Sequence, residues 1–214
     1  METSINCGHV IALIGLPSSG KSTLINSLAK KRVLQTGLAR TTLEPTLIGE
    51  TNVLQTKNFI KIKLVSDDGI EYQILDLPGI ADAEDVDKKT GNTFDDIAEA
   101  YITKCNLILW CSSADTAFLT KHEKTEFDKY KNFLHKISKE TCTFYNIAIV
   151  LTKSDIKNTC DAVQLDSDNE ENLNIEEIIN SDEETGLKDS IIRVEKIFDG
   201  TNIPILYFNA HGNA

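Results

Sequence analysis

The sequence predicts an α/β fold in which a three-layer, doubly wound and mostly parallel sheet carries one antiparallel edge strand. Strand-like apolar runs alternate with helix-like segments along the whole chain. The first apolar run leads directly into a glycine-containing loop and a helical pattern, and two later runs are joined by a tight polar turn. Such alternation is typical of parallel sheets that are covered by helices on both faces.

Length and composition limit the classes of protein to consider. A chain of 214 residues with 41% hydrophobic and 26% charged residues is sufficient for one sizeable domain, which we expect over residues 1–214. The formal net charge of −11 disfavours binding to nucleic acid or to an anionic membrane. The five cysteines lack a C-x-x-C pair, and no apolar run approaches the length of a membrane span. These features predict a cytoplasmic protein with reduced thiols and no transmembrane segment.

A strand at about His9–Ile14 leads into the pattern G-x-x-x-x-G-K-S, which a helical pattern follows at once. Glycine permits backbone angles that turn successive N–H groups toward one anion, and the helix adds the positive end of its dipole. The Lys21 ammonium suits the outer phosphates of a nucleotide, and the Ser22 hydroxyl suits Mg²⁺. The pattern therefore predicts a phosphate-binding loop, with the candidate residues Gly15, Ser18, Ser19, Gly20, Lys21, Ser22 and Thr23.

The next segment, residues 36–50, has few periodic apolar positions, so we expect a flexible loop that runs into a strand. Phe59–Val65 then alternates, an Asp-Asp-Gly turn follows, and Ile70–Leu75 returns. This pattern predicts a β-hairpin, which supplies the antiparallel edge strand. The polar residues 81–92 predict a mobile loop.

The remaining pattern predicts three helices and three strands, the first of which is expected to be buried. The helices are expected at about Thr93–Lys104, Thr120–Ser138 and Leu187–Phe198, and the strands at Leu107–Trp110, Ile147–Leu151 and Pro204–Phe208. Residues 158–187 contain ten acidic residues and no Lys or Arg. We expect this segment to be a solvated, partly disordered insertion in the domain.

Four further motifs follow the loop in chain order: Thr42-x-x-Pro45, Asp76-x-x-Gly79, Thr152-Lys153-Ser154-Asp155 and Asn209-Ala210. Together with the phosphate-binding loop they resemble the P-loop GTPases of the TRAFAC class, and the resemblance covers nearly the whole chain. Ser18, the sequence D-L-P-G and the sequence T-K-x-D are more similar to dynamin-like, Era-like and Obg-like members than to Ras-like ones.

The resemblance implies a role for each motif. Asp76, with Ser22, would hold Mg²⁺, and the Gly79 amide would sense the γ-phosphate. Thr42 is our candidate for the switch threonine that ligates Mg²⁺, with Thr41 and Thr46 as rivals. The remaining motif residues would bind the guanine base, and their candidates are Thr152, Lys153, Asp155, Asn209 and Ala210.

One residue differs from the Ras-like pattern at a position that matters for GTP hydrolysis. Ile80 follows Gly79, where Ras-like proteins carry the glutamine that orients the attacking water. An apolar side chain cannot do this. Hydrolysis would then need a bound monovalent cation, a residue from a partner, or a homodimer across the nucleotide face. Ser18 matches a dynamin-like serine that helps to place such a cation, although a small residue in a tight loop is an equally simple interpretation.

The sequence thus predicts a GTP-binding protein that hydrolyses GTP with Mg²⁺ and acts as a nucleotide-dependent switch. A GTP-binding scaffold without turnover is the alternative, followed by an ATPase or nucleotide kinase that shares only the loop. The effector is not identified by the sequence, although the acidic segment would suit a basic partner. The chain also lacks the terminal helix that usually completes this fold, so either it is an excised G domain or another chain covers that edge.

Overall fold

The computed structural model describes the chain over residues 9–36, 42–50, 54, 56–80, 93–141, 145–153 and 182–208. These residues form eight strands and four helices. In chain order they are β1 His9–Ile14, α1 Lys21–Leu28, β2 Thr46–Gly49, β3 Asn58–Lys61, β4 Leu64–Val65, β5 Glu71–Asp76, α2 Phe94–Ile102, β6 Leu107–Ser113, α3 Lys121–Thr141, β7 Asn146–Thr152, α4 Asp182–Phe198 and β8 Ile205–Tyr207.

The strands form one sheet in the order β3-β2-β5-β1-β6-β7-β8, and β4 also pairs with β5. The run from β5 through β1, β6 and β7 to β8 is parallel throughout. β2 is antiparallel to β5, and β3 is parallel to β2. This mixed sheet confirms the predicted α/β class. Because the central strands are parallel, their carboxyl ends lie along the same edge of the sheet.

Helices cover both faces of this sheet and complete the predicted three layers. The helices α2, α3 and α4 pack on one face, and α1 packs on the other. On the first face the ring of Phe127 lies 5.3 Å from that of Trp110 and 5.2 Å from that of Phe198. On the second face Leu24 of α1 packs in the same cluster as Leu13 of β1. Burial of these apolar side chains fixes the carboxyl ends of the strands relative to α1.

The predicted hairpin is correct at its turn but wrong in the extent of its first strand. The turn closes through hydrogen bonds from Gly69 N to Ser66 O and from Ser66 N to Ile70 O, each 2.9 Å long. The chain does not form one strand from Phe59 to Val65, because β3 pairs with β2 whereas β4 pairs with β5. β2 is only four residues long and covers the C-terminal half of β5, so the other half of that edge remains free for β4.

The predicted helices and later strands occur with small changes at their ends. Thr93 caps α2 through a reciprocal capping box with Asp96. α4 begins at Asp182, five residues before the predicted start, so the last part of the acidic segment is helical. The rest of the predicted disordered insertion, residues 158–181, lies outside the described part of the chain.

Two of the five cysteines lie in the described residues, and both are buried free thiols, as expected from the sequence. Burial raises the pKa of both Cys105 and Cys111 to about 12. None of the helices in the described residues combines the length and apolar character that a membrane span needs.

Candidate functional site

The loop between β1 and α1 is shaped by two glycines in left-handed conformations. Gly15 has φ +150° and Gly20 has φ +83°. A Cβ atom at Gly15 would lie 2.3 Å from the carbonyl oxygen of Cys111, and one at Gly20 would lie 2.7 Å from Thr152 Oγ1. The carboxyl ends of β6 and β7 therefore approach the loop so closely that only glycine fits at either position.

Lys21 is the first residue of α1, and its side chain curls back into the loop. Its Nζ donates hydrogen bonds of 3.0 Å to the carbonyl oxygens of Gly15 and Leu16, and it lies 3.3 Å from Ser19 Oγ. The residue is only 7% exposed. A buried ammonium beside a helix N-terminus creates a strongly positive pocket, which is the electrostatic environment that phosphate groups require.

The three predicted metal ligands converge on one point, although they come from α1, the segment before β2, and the end of β5. Thr42 Oγ1 donates a 2.9 Å hydrogen bond to Asp76 Oδ2, and Ser22 Oγ donates one of 3.1 Å to the same atom. The two hydroxyl oxygens are 3.3 Å apart. Three oxygen ligands that are distant in sequence thus lie within hydrogen-bonding distance of one another.

Asp76 is fully buried, and opposing effects act on the pKa of its carboxyl. Burial raises the pKa of its carboxyl, while the charge of Lys21 and the hydrogen bonds from Thr42 and Ser22 act in the opposite direction. Its Oδ1 atom is also buried, and it has no hydrogen-bond partner among the described residues. An unpaired buried carboxylate oxygen is unfavourable unless a cation or a further donor binds there.

These residues fit a magnesium ion. Mg²⁺ prefers oxygen ligands and is commonly held by one or two carboxylates together with the phosphates of a bound substrate. The site offers one carboxylate with an unused oxygen and two hydroxyls beside the Lys21 ammonium. Within the described ranges there is no group of three or more His, Cys, Asp or Glu side chains that could hold a metal by itself. The arrangement therefore suits a cation shared with a nucleotide.

The segment after Asp76 packs directly against the phosphate-binding loop. A Cβ atom at Gly79 would lie 2.9 Å from Pro17 Cα, so this position also requires glycine. Ile80 N donates a 3.3 Å hydrogen bond to Gly15 O, and the Ile80 side chain is fully buried in the core. Ile80 therefore cannot orient a water molecule above a bound nucleotide.

Thr152, at the end of β7, contacts the loop and not the solvent. Its Oγ1 lies 2.6 Å from Ser19 O and 3.2 Å from Ser112 O, and the residue is 1% exposed. This hydroxyl ties the end of β7 to the backbone of the phosphate-binding loop. The next residue, Lys153, has φ +55°, which turns the chain away from the strand.

The other predicted site residues lie away from this cluster of oxygen atoms or are not described. Ser18 is exposed with φ +59°, and Thr23 is exposed on α1. Thr46 Oγ1 lies 3.4 Å from Glu44 O and belongs to β2. The remaining candidates lie outside the described residues, and they are Thr41, Asp155, Asn209 and Ala210.

Glu123 is a residue that the sequence interpretation missed. It lies in the first turn of α3, is 5% exposed, and accepts hydrogen bonds from three groups on or after β6. The pattern Thr120-x-x-Glu123 at the start of an amphipathic helix is a helix-start signal that could have drawn attention to it. Its inward orientation, however, depends on tertiary contacts.

Comparison with known proteins identifies the family. The family model described as "50S ribosome-binding GTPase" matches residues 10–153, which include the loop, Thr42, Asp76 and Thr152. The chain belongs to this family of GTPases. It is thus a P-loop GTPase G domain of the TRAFAC class, as the motifs predicted.

Curated relatives match over part of the domain. The tRNA modification GTPase MnmE of Thermosipho melanesiensis is 32% identical over 121 residues, which are 56% of this chain and 23% of that protein. Ribosome biogenesis GTPase A of Bacillus pumilus is 34% identical over 79 residues, which are 37% of this chain and 22% of that protein. The chain spans less than a quarter of the length of either relative.

Solved structures share the fold. Era from Aquifex aeolicus bound to GDP and aluminium fluoride has a TM-score of 0.58 at 19% identity, covering 96% of this chain and 52% of that one. Toc33 from Arabidopsis thaliana has a TM-score of 0.54 at 16% identity, covering 97% of this chain and 72% of that one. At this level of identity the likeness concerns the fold of the G domain.

Replacement of Gly20 by Ala tests whether β7 restricts the loop. Gly69→Ala is the matched control, because Gly69 has φ +79° but open space where a Cβ would lie. Both variants should lose about 1–2 kcal/mol from the left-handed conformation. Gly20→Ala should lose about 2 kcal/mol more, because the Thr152 side chain must move and leave Ser19 O unpaired. Urea unfolding without nucleotide measures both losses, and equal losses would contradict the crowding.

Proposed function

We propose that this domain binds GTP and hydrolyses it to GDP and phosphate in the presence of Mg²⁺, and that it acts as a nucleotide-dependent switch. The observation that carries the proposal is the convergence of Ser22, Thr42 and Asp76 beside the buried ammonium of Lys21. A loop that only joined a strand to a helix would not need three separated oxygen ligands at one point. Membership of the GTPase family supports the same chemistry.

Each part of the site has a distinct task in this proposal. The amides of residues 15–20 and the Lys21 ammonium bind and orient the phosphates, so that a water molecule can attack the γ-phosphorus as the bond to the bridging oxygen breaks. Mg²⁺, when bound, neutralises charge on the phosphate oxygens. Ser22, Thr42 and Asp76 are the residues that would hold it, and the Gly79 amide would face the γ-phosphate.

Thr42 is favoured over Thr46 as the switch threonine. Its hydroxyl already donates to Asp76, whereas the Thr46 hydroxyl lies near Glu44 O. Because Thr42 lies in a segment between α1 and β2, loss of the γ-phosphate would release it without disrupting a strand. We therefore propose residues 36–50 and 79–92 as the nucleotide-sensitive segments.

The guanine base would be recognised by the motif after β7 and by the end of the chain. Asp155 would accept hydrogen bonds from N1–H and the exocyclic amine of guanine, and the Lys153 stem would cover the ring. Asn209 and Ala210 would complete the pocket. The contact of Thr152 with Ser19 supports this proposal, because it holds the base motif beside the phosphate loop.

The buried Ile80 leaves the attacking water without a positioning side chain at that position. We propose that a bound monovalent cation near Ser18, a partner residue, or a second copy of the domain across the nucleotide face completes the site. Dimerisation is described as important for the GTPase activity of the chloroplast translocon components Toc33 and Toc159, which supports including a dimer among these alternatives.

Two relatives are named for tRNA modification and ribosome biogenesis, and one Era structure contains a fragment of 16S ribosomal RNA. The net charge of −11 in this chain disfavours a direct contact with RNA phosphates. We therefore propose that the domain acts through a protein partner, for which a basic surface would complement the acidic insertion at residues 158–187.

Nucleotide competition and turnover test the proposed function. Fluorescent GDP should bind with Mg²⁺ and be displaced by GTP but not by a hundredfold excess of ATP. Asp155→Asn should weaken the binding of guanine nucleotides about a hundredfold, because asparagine keeps one acceptor oxygen and leaves the second donor of the base facing an NH₂ group. Asp68→Asn, in the exposed turn before β5, is the matched control.

Phosphate release at several protein concentrations, with K⁺ or Na⁺, should show whether a homodimer or a cation completes the site. A rate per molecule that rises with concentration indicates the homodimer, and one that rises with K⁺ indicates the cation. Release of no phosphate under any condition would favour the non-hydrolysing scaffold. Displacement of GDP by ATP as effectively as by GTP would contradict the base assignment and favour an ATPase.

Thr42→Ala tests the switch assignment, with Thr46→Ala as the rival variant. Thr42→Ala should lower GTP turnover at least about tenfold, because one oxygen ligand beside the transferred phosphate is lost, while GDP affinity stays within about threefold. Thr46→Ala should retain turnover. Phosphate release and equilibrium binding of GDP and a GTP analogue measure these effects, and the opposite pattern would assign the role to Thr46.

A further inference from the structure

A buried carboxylate outside the nucleotide site connects α3 to β6 and to the loop that follows β6. Glu123 Oε1 accepts hydrogen bonds from Ser112 Oγ at 2.6 Å and from Trp110 Nε1 at 3.4 Å. Its Oε2 accepts one of 2.8 Å from Phe118 N. Glutamate is rarely buried unless it is fully paired, so three donors converging on one carboxylate indicate a specific role.

The carboxylate also holds a strained loop in place. Phe118 has φ +53°, which is unfavourable for a residue with a bulky side chain. Its amide donates to Glu123, and its ring packs edge-to-face 5.4 Å from Phe127 and 5.0 Å from Phe198. The same loop begins with a 2.8 Å hydrogen bond from Ala114 N to Thr152 O. Glu123 therefore fixes the segment that joins β6 to α3 directly beside the end of β7.

From this segment a continuous set of contacts leads to the phosphate-binding loop. Glu123 holds the side chain of Ser112, whose carbonyl oxygen lies 3.2 Å from Thr152 Oγ1. Thr152 Oγ1 in turn donates a 2.6 Å hydrogen bond to Ser19 O. The neighbouring Cys111 carbonyl limits the space at Gly15. The end of β6 therefore limits the conformation of the phosphate-binding loop at two places. It acts on Ser19 through Thr152, and on Gly15 directly through the Cys111 carbonyl.

We propose that Glu123 is a positioning residue for nucleotide binding: through Ser112 and Thr152 it holds the phosphate-binding loop in its binding-competent shape. The hydrogen bonds of its carboxylate go to β6 and to the loop after it. The inference rests on the proposed function, because the loop must bind a nucleotide for its shape to matter. Loss of the carboxylate would let the end of β6 shift and would weaken the hold of Thr152 on Ser19 O.

The test measures the dissociation rate of fluorescent GDP from Glu123→Gln. Glutamine keeps the volume but offers one acceptor oxygen and an NH₂ group that must face a donor, so dissociation should become about tenfold faster. Glu140→Gln is the matched control, because Glu140 lies exposed near the end of the same helix. A rate within twofold of this control, in a chain whose wild type binds GDP, would overturn the inference. Failure of the wild type to bind GDP would instead overturn the proposed function.

A double-mutant cycle separates positioning from a loss of stability. Thr152→Val should accelerate GDP dissociation several-fold in the wild-type background, and by much less in the Glu123→Gln background, because the contacts are already broken. A merely structural role would give additive effects, and additivity would contradict the inference.

Ser112→Ala removes the central hydrogen bond by loss of one hydroxyl, so it tests the same contacts even if Glu123→Gln does not fold. It should accelerate dissociation about threefold, and an unchanged rate would count against the proposal.

Discussion

Asp76 is fully buried at the end of β5, and a carboxylate in that position is unfavourable unless polar or charged groups surround it. Ser22 and Thr42 satisfy one of its oxygens, and the charge of Lys21 favours its ionised form. The other oxygen remains unpaired among the described residues. Folding therefore leaves a carboxylate with one unpaired oxygen beside a positively charged loop. This arrangement suits the binding of a cation together with a phosphate group.

The sheet explains how these groups meet. β1 pairs with β5 on one side and with β6 on the other. The connection after β1 leads through α1 to β2 on the β5 side, whereas the connection after β5 leads through α2 to β6 on the opposite side. A crevice forms at such a switch point, at the carboxyl ends of parallel strands. The loop after β1, Asp76 at the end of β5, and Thr152 at the end of β7 all lie along this edge. Close contacts at Gly15 and Gly20 then leave little freedom in the shape of the loop.

The sequence was sufficient where local chemistry decides the structure. A buried strand, two glycines, Lys-Ser and a helical pattern specify the loop, because each of these features acts within a few residues. It was insufficient where distant segments compete. The division of Phe59–Val65 between two partner strands depends on the short length of β2, and spacing alone could not separate Thr42 from Thr46. The role of Glu123 depends on donors from β6 and the following loop, which no helical pattern reveals.

The central claim is that Ser22, Thr42 and Asp76 form one cation site next to the phosphates of a bound guanine nucleotide. Anomalous diffraction from crystals grown with a GTP analogue and Mn²⁺ in place of Mg²⁺ tests it most directly. We expect one manganese peak at a coordination distance of about 2.1 Å from the hydroxyls of Ser22 and Thr42, with Asp76 bound directly or through one water. A peak away from these side chains, or a nucleotide bound with Thr42 turned outward, would contradict the account.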